Sequence, residues 1–246
     1  MSLVDLAEQN NLPEHQFIDR ETLDWICNNP VGSDQKKIVR FDPVEFYRYF
    51  PRKEWFHDYE SINSIHGIRH LVRVAIFSEV LFKSRKWLFF NLKLINILTA
   101  AFFHDIAREN DKNDNNHGKR SARWFRENII EVEKAFNVRY NKNDVYCIYN
   151  AIAYHEVPYS QIEKNISAKY GRMIDIIKTA DALDRFRMPK LKWRINCQYL
   201  KLIPSAELKY FAYKLVCLTE DGFLKGIDGF DGSLYSIAID KIKKYE

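Results

Sequence analysis

Cysteine is scarce in this 246-residue chain. Its four cysteines, Cys27, Cys147, Cys197 and Cys217, are widely spaced, with no Cys-x-x-Cys pair. That spacing argues against a disulfide framework or a thiolate zinc site and points to a reducing compartment. Long apolar runs are also missing. The richest stretch, near Trp87–Phe103, is broken by Asn91, Lys93 and Asn96, short of the roughly 18 apolar residues a membrane helix needs. The first residues, MSLVDLAEQNNLPEHQ, lack a basic head followed by an apolar core, so no signal peptide is expected. Runs of Lys and Arg and RNA-binding signatures are absent too, so no obligate nucleic-acid partner is expected. The same absences predict no membrane partner and a cytoplasmic location. Internal repeats and low-complexity linkers are likewise missing.

What is present fits a folded domain. The length can bury a sizeable core without staples, and aromatics at 15% suggest one leaning on Phe and Tyr. The net charge is +5, unevenly spread. Residues 1–60 hold seven Lys+Arg against twelve Asp+Glu, leaving 31 against 21 in the rest. A positive main body suits a small anionic partner.

Helical periodicity dominates. Residues 1–60 read as short helices and loops; DPVEFYRYF (Asp42–Phe50), with Asp at the N-cap and Pro next, predicts a helix. His70, Val74, Phe77 and Leu81 share one helical stripe. Further helices are predicted over Leu88–Ile106, His117–Ile130, Asn143–His155, Lys169–Arg185 and Glu207–Thr219, with a short amphipathic one near the C-terminus. Strand pairing near Phe223–Ile227 is a weaker expectation. The fold class is all-α: a core over 61–190 with helical extensions at 1–60 and 191–246, read as one structural unit.

Five of the seven histidines, His66, His70, His104, His117 and His155, lie in the central body with Asp105 and Asp181. On four separate helices a metal-capable side chain continues the inward face. His70 follows the stripe above, Asp105 follows Leu98 and Ala101, His155 follows Ile148 and Ile152, and Asp181 follows Ile174 and Ile177. Burying isolated carboxylates costs several kcal/mol, and one shared cation compensates all of them. Imidazole with carboxylate and no thiolate suits Mn, Fe, Co, Ni, or Zn in an open site. Adjacent His104 and Asp105 can reach one ion only near a helix end, which the polar loop after Arg108 supplies.

The segments HGIRHLVRV, FFHDIAREND, AIAYHE and KTADALDRFR together resemble the HD-domain superfamily of helical metal-dependent phosphohydrolases, over about Ile65 to Arg187. The resemblance implies His70, His104, Asp105 and Asp181 as metal ligands. His117 and His155 match histidines that bind a second metal or the substrate phosphate; a packed core histidine is the plainer alternative for His155. His66 has no settled role. It implies one or two divalent transition-metal ions, and a phosphohydrolase acting on a phosphate ester or anhydride of a nucleotide or related small molecule.

Relatives often carry an acid three residues after the aspartate, where this chain has Arg108. The catalytic acid or base is therefore sought, beside Asp105, among Glu109, Asp111 and Asp114. Arg108, Lys119 and Arg185 are candidate phosphate contacts, with Asp184 a candidate neutraliser of Arg185. Two other readings stand beside this one: an HD-fold di-iron oxygenase, and a non-catalytic nucleotide-binding or interaction protein. The extensions leave room for self-association. KLKWRINCQYL (Lys190–Leu200) reads foremost as an amphipathic surface segment, with a lid or an interface as alternatives.

Overall fold

The computed structural model describes residues 1–31 and 42–244. Among them there is no strand, and the class is all-α. Ten α-helices follow in order: α1 (Leu3–Glu8), α2 (Arg20–Asn28), α3 (Ile68–Ser84), α4 (Leu94–Phe103), α5 (His117–Glu127), α6 (Ile129–Phe136), α7 (Lys142–Tyr154), α8 (Lys164–Asp184), α9 (Ala206–Leu224) and α10 (Gly232–Lys244).

The middle of the bundle is α3, where every residue from Ile68 to Phe82 is buried. Apolar residues on every side of α3 place it inside, and its buried Arg69, His70, Arg73 and Glu79 must then find partners there. It packs on α4, α8 and α9, while α7 packs on α4, α5 and α8. The apolar face of α10 lies against α9 and α2 also packs on α9, so the two extensions meet there and reach the core through the contacts of α9 with α3 and α8.

Helix ends carry local signatures. A reciprocal capping box of Asn141 and Asp144 starts α7. Ser205 accepts a bond from the Leu208 amide at the start of α9. Before α5 the chain turns through left-handed Asn116, at φ 66°, a conformation asparagine tolerates.

Three expectations need correction. Asp42–Phe50 is not an α-helix: Phe46–Tyr49 forms a 3₁₀ turn. The Val44 and Glu45 amides instead point to the buried Glu79 carboxylate of α3, at 3.1 and 3.4 Å. The helix expected from Leu88 begins at Leu94, after a 3₁₀ turn over Lys86–Leu88. The Phe223–Ile227 stretch forms no strand, because α9 runs through to Leu224. No helix among the described residues is long and apolar enough to cross a membrane.

Candidate metal centre

The C-terminal ends of α4, α7 and α8 and the starts of α3 and α5 meet at one point. His70 lies in α3 and Asp181 in α8; His104 caps the C-terminus of α4 with Asp105 next; His117 opens α5 and His155 caps α7. The helix end required for His104 and Asp105 to point together is therefore there. All but Asp181 are buried.

Four imidazoles turn their Nε2 atoms inward. His70 and His104 Nε2 are 2.9 Å apart, and His117 and His155 Nε2 are 3.1 Å apart. Each Nδ1 faces an acceptor: Asp184 Oδ2 at 2.8 Å for His70, and the Ala101, Asp114 and Ile152 carbonyls at 2.7 Å for His104, His117 and His155. A neutral imidazole carries one N–H, so these partners hold it on Nδ1 and leave a lone pair on Nε2. Lone pairs at such distances repel, and a cation relieves them. Arg108 Nη1, 3.2 Å from His117 Nε2, reaches one of the four.

The carboxylates complete the arrangement. Asp105 Oδ1 is 3.1 Å from His117 Nε2 and 3.4 Å from His155 Nε2, and its Oδ2 is 3.6 Å from His70 Nε2. Asp181 Oδ1 is 3.5 Å from His70 Nε2. Buried Asp105 Oδ1 accepts no hydrogen bond among the described residues. Ligand atoms of His70, His104 and Asp181 lie within 4.8 Å of one another, as do those of His104, Asp105 and His155. These two groups, sharing His104, can hold a metal ion.

Protonation follows the same geometry. Burial pushes His104 down to about 3. Burial opposes ionisation of Asp105, yet His117, His104 and Arg108 hold it well below the usual carboxylate range. Asp181 is also lowered, against burial, by the neighbouring His70 and His104. His117 is the exception. Against burial, the Asp105 charge raises its proton affinity, so proton and cation compete at this end.

Behind His70 stands a buried ionic network that the sequence reading missed. Asp184 does not neutralise Arg185. It holds His70 Nδ1 and accepts from Arg73 Nε at 2.5 Å and Nη2 at 3.1 Å, with Arg187 3.2 Å away. Arg73 continues to Glu220 of α9 at 2.6 Å, and Arg69 reaches the same carboxylate at 2.9 Å. Arg73 lies one turn after His70 in HLVRV, a visible hint. Glu220, 150 residues from His70, had none. Glu156 was also missed: its carboxylate accepts from the Gly118 amide at 3.0 Å and sits 3.0 Å from His117 Nδ1, where the N-terminus of α5 favours an anion.

The other predicted residues separate. Asp111 is buried and accepts from the Gln16 amide at 2.7 Å and Ser64 at 3.1 Å, with His66 Nδ1 at 2.7 Å. Asp114 and Glu109 both pair with Arg120, at 2.5 and 3.3 Å. Arg108 leans over the cluster, 3.7 Å from Asp105. Lys119 is exposed and does not line the cavity above the cluster. Arg185 does line it, with its Nε bonded to the Trp193 carbonyl at 2.7 Å.

That cavity is about 990 Å³, at the upper end for a small-molecule site. Asp105, His117, His155 and Asp181 form its floor. Seven Lys and Arg side chains and four carboxylates line it. The chain matches no family model, curated protein or solved structure. The functional reading therefore stands on the geometry and on the resemblance of its motifs.

Proposed function

We propose that the protein is a metal-dependent phosphohydrolase of the HD-domain type, cleaving a phosphate ester or anhydride of a small anionic molecule. The observation that carries this reading is the convergence of four Nε2 lone pairs on two aspartates that, with His117 and His155, form the floor of a cation-lined cavity. His70, His104, Asp105 and Asp181 would hold one divalent ion, and His117 and His155, with Asp105 shared, a second. Mn, Fe, Co, Ni or Zn suits this donor set. When bound, such an ion draws charge from a phosphoryl oxygen and makes water acidic enough to act near neutral pH.

The chain's own residues supply the rest. Arg108, beside Asp105, is placed to meet a phosphoryl oxygen as charge develops there. Asp111 is engaged by three donors, so its work is to orient His66 through Nδ1. Burial, with Arg108 and Arg187 nearby, keeps the His66 imidazole neutral. With its proton held on Nδ1, the ring offers Nε2 as a hydrogen-bond acceptor, and His66 lines the cavity. Asp184 and the Nδ1 carbonyls fix the ring directions before any ligand arrives.

The test is turnover of nucleotides, cyclic nucleotides and p-nitrophenyl phosphates by purified protein with each divalent ion, beside the Asp105→Ala variant. Loss of turnover in a folded variant is expected, by at least about 100-fold. Undiminished turnover would remove this site from the reaction. Two irons per chain with oxygen-dependent oxidation of a C–H bond would instead assign the oxygenase reading.

A further inference from the structure

Cations outnumber carboxylates around the cavity, and on one side they stand without carboxylates. All four carboxylates, Asp105, Asp111, Glu156 and Asp181, engage the histidine cluster or its neighbour His66. Arg185, Lys192 and Arg194 have no carboxylate partner among the described residues, although all three line the cavity. They are neighbours: Arg185 Nε donates to the Trp193 carbonyl, and Trp193 lies between Lys192 and Arg194.

The segment that carries two of them is a built wall. It folds into 3₁₀ turns at Leu191–Trp193 and Cys197–Tyr199. Arg194 donates to the Asn29 and Ile26 carbonyls at the end of α2, and its guanidinium lies 5.5 Å from the Trp25 ring. Buried Lys190 reaches Asn10 at 3.2 Å. Arg185 donates only through Nε, to the Trp193 carbonyl, so its two Nη groups meet no acceptor among the described residues.

We infer that this wall is an anion subsite for a second phosphoryl group, so the substrate class is a phosphate ester or anhydride bearing another phosphate away from the bond that breaks. The inference rests on the phosphohydrolase reading of the floor. Three cations exceed what a single carboxylate needs, and the free guanidinium fork of Arg185 suits the several oxygens of a phosphate, with Lys192 and Arg194 adding charge. The cavity has room for both groups at once.

The test titrates inorganic pyrophosphate into the full-length chain by calorimetry, using wild type, Lys192→Glu, Arg185→Gln and the floor variant Asp181→Asn. Lys192 is exposed, so its substitution leaves the fold standing. The expected result is about tenfold weaker binding in each wall variant, with a smaller change in Asp181→Asn. In parallel, Lys192→Glu is expected to raise KM for a bisphosphate ester about tenfold more than KM for p-nitrophenyl phosphate. Pyrophosphate binding within threefold of wild type in both wall variants would overturn the subsite. Weakened binding at the wall without turnover of any ester would keep the subsite and remove the hydrolase reading. Turnover with wall-insensitive binding would do the reverse.

Discussion

Two glycines that follow histidines show how finely single positions shape this centre. A Cβ at Gly118 would lie 2.9 Å from the Ile152 carbonyl and 3.1 Å from the His155 ring. Gly118→Ala is therefore expected to push His155 out of place. Metal per chain, measured by mass spectrometry, should fall while the helical circular dichroism persists. At Gly67 a Cβ would meet the Ile62 carbonyl at 2.1 Å, backbone against backbone. Gly67→Ala should cost about 3 kcal/mol in urea denaturation. The sequence displays both His-Gly pairs without the reason for them, since one reason is a carbonyl of α7 and the other the path of a turn over Ser61–Ile68. His70, Asp105, His155 and Asp181 were legible because each continues an inward apolar stripe. Asp111 was legible as important but not as an orienting group, because its partners Gln16 and Ser64 come from distant parts of the chain.

At the scale of elements, α3, α8 and α9 are joined by charge inside the core as well as by packing. Glu220 is 1% exposed between Arg69 and Arg73. Burial opposes its ionisation, but the two guanidinium groups lower its pKa below the ordinary 4.5. A carboxyl more acidic in the folded chain stabilises it fully above the unfolded pKa. That contribution drains away as pH falls below about 4.5. Glu220→Gln should cost about 3–5 kcal/mol at pH 7, by stranding two buried cations. It should also flatten the acid limb of thermal melts followed from pH 7 to 3. Elements with a strong stripe and a clear cap were readable. Those decided by tertiary partners were not: after the Asp42–Pro43 start signal, the Val44 and Glu45 amides go to Glu79 and not to an Asp42 cap. Likewise, the start of α4 follows Lys93, tied to Asp144 of α7 at 2.8 Å.

For the whole molecule, the converging lone pairs couple metal to stability. A ligand that binds only the folded state adds about 2.7 kcal/mol at a hundred times its Kd. Stripping the ion with a chelator should lower Tm by roughly 5–10 °C for a chain of this length. Restoring the preferred divalent ion should recover it, and an unchanged Tm in scanning calorimetry would count against a structural load on the ion. The all-α class and the inward histidines were open to sequence reasoning. The cavity wall was not, because KLKWRINCQYL reads foremost as a surface segment and nothing in it says which cavity it faces.

That wall has a consequence for how the protein can change. The His/Asp cluster sits on helix ends locked into the core, whereas Lys190–Leu200 is a connector between α8 and α9, fastened at a few points. On the proposed reading, rewriting those residues would retune which molecule is accepted without disturbing what is done to it. New selectivities should therefore arise by exchanging this loop between otherwise unaltered proteins, an accessible route for both natural divergence and directed engineering.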